Sequence, residues 1–297
     1  MIGTTMVFGG GGFIGGNLCS IALSRGVAVH IAGRHRRTAF PGAIWHEVDI
    51  THEEEVASVL NEVRPRCVVD LAAVSDIDRA EKDPQLATRI NALGARAIAR
   101  ACAGIDAHLL YFSSDAVYSG HDGPYSEGAA LEPVNHYGRS KKDGEEAVAR
   151  ELPGAAIVRI SLALGFPVAE GNSYLASLYE KLKWGQRISA PADEVRTPLD
   201  VMTLSDCVLE LMEQRFAGPI NLGSTTSIDR ATLTRRAAKL LGVPNASIDV
   251  EPSNDPNRAP RHKNGILDVR LAQQTLKTQL PDSDGALEKA VTERLEQ

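Results

Sequence analysis

Tyr137 and Lys141 stand four residues apart in Tyr137-Gly138-Arg139-Ser140-Lys141, and Ser114 closes an apolar run upstream of them. Residues four apart on a helix are separated by about 40° around its axis, so phenol and ammonium are expected on one face. A free phenol keeps its proton up to a pKa of about 10, too tightly for efficient exchange near neutrality. An ammonium within reach favours the phenolate, and Lys141 is therefore expected to lower the Tyr137 pKa. Such a pair can hand a proton to a carbonyl oxygen. Ser114, in Phe112-Ser113-Ser114-Asp115, ends what reads as a strand, and its hydroxyl can hydrogen-bond the same oxygen. The tyrosine–lysine spacing recurs by chance on many helices, so its weight comes from what precedes it.

What precedes it is Gly9-Gly10-Gly11-Gly12-Phe13-Ile14-Gly15, between an apolar run and an amphipathic segment. Glycines there permit a tight turn and let the backbone approach a pyrophosphate at the positive end of a helix. Two registers fit, Gly10-x-Gly12-x-x-Gly15 and Gly9-x-x-Gly12-x-x-Gly15, and Gly12 and Gly15 serve in both. A dinucleotide is expected, with Phe13 and Ile14 at the helix entrance. An NAD site normally carries an acid at the end of the second strand, to grip the ribose hydroxyls. Here that strand ends Val29-His30-Ile31-Ala32-Gly33-Arg34 without one, and Arg34, Arg36 and Arg37 cluster instead. Guanidinium groups suit a 2′-phosphate, so the expected cofactor is NADP (NADPH). Asp49 and Ile50 close the third strand, where a side chain can reach the adenine. A nicotinamide would deliver hydride to the carbon whose oxygen Tyr137 protonates.

The elements that must position these groups alternate. Residues 4–8, 27–32, 43–48, 67–72, 109–113 and 156–160 read as buried strands, and 14–25, 53–63, 84–103 and 137–151 as helices. Thr51 with Glu54 spells a capping box for the second helix. The alternation predicts an α/β chain with a Rossmann doubly wound parallel sheet and a smaller C-terminal substrate lobe. After Ser161 glycines and prolines break the rhythm. Helices at 204–215 and 230–241 bracket a strand at 219–222, and 252–264 reads as a long loop. The expected division is residues 1–160 as the nucleotide-binding domain, with 199–224 returning to it, and 161–198 with 225–297 as the substrate lobe.

Composition narrows the partners. The 297 residues carry a net charge of −6 and no basic stripe, which argues against nucleic acid. Cys19, Cys67, Cys102 and Cys207 lack Cys-x-x-Cys spacing, and the eight histidines lack metal-ligand spacing, so no metal is expected and the thiols read as buried and reduced. No apolar run reaches membrane-span length and no targeting segment is legible, which reads as cytoplasmic. His136 reads as a surface residue, and Trp184 and Tyr174 as core.

The order Gly9 to Gly15, then Ser113-Ser114-Asp115-Ala116-Val117-Tyr118, then Tyr137 to Lys141 resembles the extended short-chain dehydrogenase/reductases. Leu71-Ala72-Ala73 followed by Ile77-Asp78-Arg79-Ala80-Glu81, and Pro133-Val134-Asn135-His136-Tyr137, are most similar to the dTDP-4-dehydrorhamnose reductases among them. The resemblance covers the first 165 residues and continues more thinly through Arg196-Thr197-Pro198. It implies that Ser114 polarises the carbonyl, Tyr137 is the acid and Lys141 holds the nicotinamide ribose. It implies too that Asn91 supports the site and that Leu71, Ala72 and Ala73 line the cofactor channel. Asp115, Asn135 and Arg196 complete the expected substrate-binding set. Arg196, isolated among polar and proline residues, is a candidate for a substrate phosphate.

Two positions depart from the family: Ala116 replaces a tyrosine, and Leu162 a tryptophan, so the rhamnose precursor does not follow as substrate. The expected activity is NADP-dependent reduction of a carbonyl on a nucleotide-sugar-like substrate. A 4,6-dehydratase is disfavoured because Ala116 follows Asp115 where that reaction needs a second acid. An epimerase, and a non-catalytic NADP-binding regulatory protein on the same fold, are the alternatives. Family members often pair through the helices at 84–103 and 137–151, which makes a homodimer an expectation.

Overall fold

The computed structural model describes residues 2–35, 40–168, 171–252 and 258–295. Its central sheet contains β1 (Thr5–Phe8), β2 (Val29–Gly33), β3 (Ile44–Glu47), β4 (Cys67–Asp70), β5 (His108–Ser114), β6 (Ala156–Ile160) and β7 (Gly218–Leu222). The order across the sheet is β7-β6-β5-β4-β1-β2-β3, and every pairing is parallel. The longer helices are α1 (Phe13–Ser24), α2 (Glu53–Val63), α3 (Ala95–Ile105), α4 (His136–Glu151), α5 (Tyr174–Lys183), α6 (Val201–Gln214), α7 (Arg230–Leu240) and α8 (Ser283–Leu295). This is a Rossmann-type doubly wound sheet.

Strands buried on both faces read as unbroken apolar runs, and their two-residue period sends alternate side chains to opposite cores. Val7, Val69, Leu110 and Phe112 pack against Leu18 and Ile21 of α1 and Leu204 and Val208 of α6. Met6, Phe8, Val68, Leu109 and Tyr111 face the other way, onto Val56 and Leu60 of α2 and Ile98 and Cys102 of α3. The chain leaves β3 at one edge and re-enters as β4 on the far side of β1. The loops after β1 and β4 therefore part over the carboxyl edge and open a crevice there.

The later chain is shared between this sheet and a third core. Ala272 and Leu276 pack with α1 and α6, while Leu175, Leu178, Leu233, Ala237, Leu287 and Val291 join α5, α7 and α8. A small sheet places Val195–Arg196 between Ile228–Asp229, antiparallel, and Asn264–Gly265, parallel. That pairing fixes Arg196 beside residues 262–265.

Two local expectations fail. The capping box is displaced by one residue: α2 is capped by His52, which gives no side-chain cap, and Glu55 rather than Glu54 turns back, accepting from Asp49 N at 2.9 Å. Thr51 donates its hydroxyl to Asp49 Oδ1 at 2.8 Å instead. Trp184, read as core, is 69% exposed at the end of α5, whereas Tyr174 packs in the third core and its hydroxyl meets Thr234 at 2.8 Å. The four thiols are free and buried. Among the described residues no helix is long and apolar enough to cross a membrane, and no group of three or more His, Cys, Asp or Glu could hold a metal.

Candidate active site and cofactor cradle

β1 feeds directly into Gly9, whose φ of +78° lies in the left-handed region. A Cβ there would come within 2.8 Å of Leu71 C and Ala72 N, and one at Gly15 within 2.4 Å of Gly9 O. The working register is thus Gly9-x-x-Gly12-x-x-Gly15, while Gly10 packs the loop onto the Ile31 and Cys19 side chains. Gly12 caps α1 in extended conformation with no side-chain hydrogen bond to the first turn. First-turn amides that no side chain caps, in a loop too tight for side chains, fit a dinucleotide pyrophosphate.

Around this cradle the expected contacts divide. Ile14, Leu71 and Ala73 line a cavity of about 370 Å³, and Ala72 N donates to Asp70 Oδ1 at 3.0 Å. Arg34 is exposed just beyond β2, and its charge reaches Asp49; Arg36 and Arg37 lie outside the described residues. Asp49 follows β3 rather than closing it, and its carboxylate accepts from Thr51 N at 2.9 Å as well as from the Thr51 hydroxyl. Ile50 is buried against Gly94.

The same cavity holds Ser114, Tyr137 and Lys141. α4 begins at His136 because Asn135 Oδ1 accepts from Gly138 N at 2.8 Å, a side-chain cap. Gly138 lets the helix press onto the turn after β5: a Cβ there would fall 2.0 Å from Ala116 O. Behind the helix, residues Arg89–Gly94 form a π-helical turn in which Asn91 O accepts from the Tyr111 hydroxyl at 3.0 Å. The Asn91 side chain ties that turn to the loop after β4 and to α4, bonding Val74 N at 2.8 Å, Val74 O at 3.1 Å and Ser140 Oγ at 2.9 Å.

Lys141 is only 3% exposed, and its ammonium sits 4.1 Å from the centre of the Tyr111 ring. Burial lowers its pKa to about 8 against the support of the Asp70 and Glu145 carboxylates. Burial pushes the Tyr137 phenol up to about 12; the neighbouring Ser114 hydroxyl opposes that rise and the Asp115 charge adds to it. The expected lowering of the phenol by Lys141 is therefore overturned. The ammonium is engaged with the Tyr111 ring and carboxylates, and desolvation dominates at the phenol.

Two expected substrate ligands are committed elsewhere. Asn135 is fully buried, with Nδ2 donating to Pro260 O at 2.9 Å while Oδ1 caps α4, so its amide holds structure rather than substrate. Arg196 reaches the cavity wall, yet its guanidinium donates to the carbonyls of Val195 (2.8 Å), Lys263 (3.0 Å) and His262 (2.9 Å). It also lies 3.4 Å from Asp115 Oδ2, which leaves little of it for a phosphate. Asp115 is buried against Ser114, Ser161, Arg196 and His262.

Sequence reasoning missed Arg230, Arg258, Arg261 and His262, which line the same cavity. Three of them come from the segment read only as a loop, and the closeness of Arg258, Arg261 and His262 was the available signal. Asp78 anchors that segment, accepting from Arg261 Nη2 at 2.7 Å and Ala259 N at 2.8 Å.

With this geometry in place, residues 3–295 match the RmlD substrate-binding domain family. The chain belongs to that family. Among its relatives is a Haloferax volcanii protein named as a probable low-salt glycan biosynthesis reductase, 28% identical over 97% of this chain and 98% of the relative. The dTDP-4-dehydrorhamnose reductase of Salmonella typhimurium is 30% identical over 82% of this chain and 85% of that enzyme. The crystal structure of the Bacillus anthracis dTDP-4-dehydrorhamnose reductase in complex with NADP superposes with a TM-score of 0.87 at 25% identity, covering 98% of this chain and 99% of that one.

Proposed function

We propose that this chain is an NADP-dependent reductase of a carbonyl on a nucleotide-linked sugar, working as a short-chain dehydrogenase/reductase does. One observation carries the reading: Ile14, at the mouth of the glycine cradle, lines a single cavity with Ser114, Tyr137 and Lys141. Relatives named as dTDP-4-dehydrorhamnose reductases, one of them solved with NADP, support it.

When bound, the dinucleotide supplies hydride to the carbonyl carbon. Tyr137 Oη gives its proton to the carbonyl oxygen, and a phenol that stays protonated up to about 12 suits a donor. Ser114 Oγ, lining the same cavity as Tyr137, is placed to hold the oxygen. Lys141, held among Tyr111, Asp70 and Glu145, presents its ammonium where ribose hydroxyls would lie. The missing acid after β2 and the exposed Arg34 favour NADP over NAD. Ala116 and Leu162, both in the cavity wall, are not the aromatic residues that the family resemblance leads one to expect there.

The test is an NADPH-oxidation screen over dTDP-4-dehydrorhamnose and other nucleotide-linked keto sugars. One substrate should consume NADPH stoichiometrically. Tyr137→Phe should keep NADPH binding and lose turnover by about 10²–10⁴-fold, the usual worth of a general acid. Substrate conversion without net NADPH consumption would assign an epimerase instead. NADP binding with biological activity untouched by Tyr137→Phe would assign a regulatory protein.

A further inference from the structure

Glu194 stands in the cavity wall immediately before the strand Val195–Arg196, and its main chain is clamped on both sides. Its carbonyl accepts from Arg230 N at 2.9 Å, and the next amide, Val195 N, donates to Lys263 O at 2.8 Å. The residue is only 6% exposed. Its Oε2 lies 3.7 Å from Arg196 Nη2, close enough to share charge but beyond hydrogen-bond reach. Its Oε1 is buried and, among the described residues, has no hydrogen-bond partner. Arg196 does not swing across to supply one, because three carbonyls and Asp115 pin it. The charge of this carboxylate is met and its hydrogen bonding is not.

A buried acceptor without a donor costs about 1–3 kcal/mol, and native chains rarely leave one. In a cavity wall the missing donor can arrive with a ligand. Two more buried groups in the same wall, Ser113 Oγ and His262 Nδ1, also have no hydrogen-bond partner among the described residues. A hydroxyl both gives and accepts hydrogen bonds, so a ring bearing several of them suits a carboxylate, a serine and an imidazole alike. The donor to Glu194 is neutral by the same count of charge. Arg196, Arg230, Arg258 and Lys141 outnumber Asp115 and Glu194 in this wall, and an ammonium would enter against that excess.

We propose that Glu194 Oε1 accepts a hydrogen bond from a hydroxyl of the substrate's sugar, so that the site selects a keto sugar retaining that hydroxyl over its deoxy counterpart. This rests on the cavity taking the nucleotide-linked keto sugar of the proposed reductase. A site built to bond a hydroxyl rejects the analogue that lacks it, because its own buried group is then left unpaired. Ala116 and Leu162 offer no aromatic face in this wall, and hydrogen bonds read the sugar there instead.

The experiment is calorimetry on the full chain loaded with oxidised NADP, which has no hydride to give, so binding is read without turnover. The probes are a dTDP-linked 4-keto hexose and a set of its analogues, each lacking one hydroxyl. One analogue should bind the wild-type protein about 10–100-fold more weakly than the parent. Glu194→Met keeps the bulk and removes the acceptor, and there the same two sugars should bind within about threefold of each other. Glu194→Gln, whose amide oxygen still accepts, should restore part of the discrimination. A merely structural role would weaken every sugar alike in Glu194→Met and leave the ratio of parent to analogue unchanged, which overturns the proposal. So does a wild-type protein that binds every analogue as tightly as the parent, as it would if only water met Oε1; that result stands even if neither variant folds. Failure of the reductase reading shows separately, as sugars that bind with this selectivity yet consume no NADPH.

Discussion

One wall of the cavity is made by main chain and the other by side chains. On the cradle side, Gly9 and Gly15 let loops approach so closely that any Cβ would meet backbone at 2.8 or 2.4 Å. The residues doing this lie within a seven-residue stretch. Opposite, Ser161, Arg196, His262 and Gly265 reach Asp115 from segments up to 150 residues away, through ion pairs and hydrogen bonds. The first wall recognises by shape and the second by charge. A shape-made wall should fail by steric conflict with little pH dependence, and a charge-made wall by loss of a partner.

The largest effect should come from the buried charge pair beneath the site. Arg159 on β6 donates to both oxygens of Glu145, at 2.9 and 2.6 Å, and both side chains are about 5% exposed or less. Arg159 also donates to the Tyr118 hydroxyl and Glu127 O, each at 2.8 Å. Glu145 lies on α4, one turn beyond Lys141, so the pair docks the catalytic helix on the sheet. Glu145→Gln leaves a guanidinium buried without its counter-charge and should cost about 3–5 kcal/mol of stability in chemical denaturation. A loss below about 1 kcal/mol, typical of a surface pair, would break the charge-made half of the comparison.

The cradle makes the second prediction. In Gly15→Ala the new methyl must meet Gly9 O at 2.4 Å, and a backbone oxygen cannot swing aside as a side chain can. The overpacking should cost about 1–3 kcal/mol and weaken NADPH binding by roughly tenfold or more, read by fluorescence titration. The affinity loss should be the same at pH 6 and pH 8, because no titrating group is involved. A strong pH dependence would mean that the cradle, too, recognises by charge.

The contrast also explains what the sequence disclosed. The strands, the glycine loop and the Tyr137–Lys141 helix were legible because each is specified by neighbours in the chain: an apolar run, a turn, a four-residue spacing. Gly9, Gly12 and Gly15 could be read directly, and only their register needed coordinates. Asn135 was read as a ligand because a polar residue beside Tyr137 looks the same whether it caps a helix or meets substrate. Arg196 was assigned to a phosphate because its partners are carbonyls and Asp115, which no local pattern announces. His262 and Arg261 stayed hidden in a polar loop until Asn264–Gly265 paired with Val195–Arg196. The phenol was misjudged for a related reason: spacing puts Lys141 on the right helix, but the Tyr111 ring and Asp70 decide where its charge acts.

The pH dependence of the Asp115 cluster is the sharpest test of the charge-made wall. Asp115 is held at about 2 in the folded chain, below an ordinary 3.8. A depressed carboxylate adds stability that is fully present above the unfolded pKa and is lost as pH falls through the folded one. Asp115 should therefore contribute on the order of 2 kcal/mol at neutral pH, draining away between about pH 4 and about pH 2. Asp115→Asn never has this contribution, and at neutral pH it also leaves Arg196 and His262 facing an uncharged amide. The wild-type advantage, measured by urea denaturation along a pH series, should thus shrink toward the acid end. Every other carboxylate titrates in both proteins and cancels in the difference. A gap that stays constant down to about pH 2 would mean that Asp115 is held by packing and hydrogen-bond geometry rather than by its charge. The two walls would then differ only in where their residues come from.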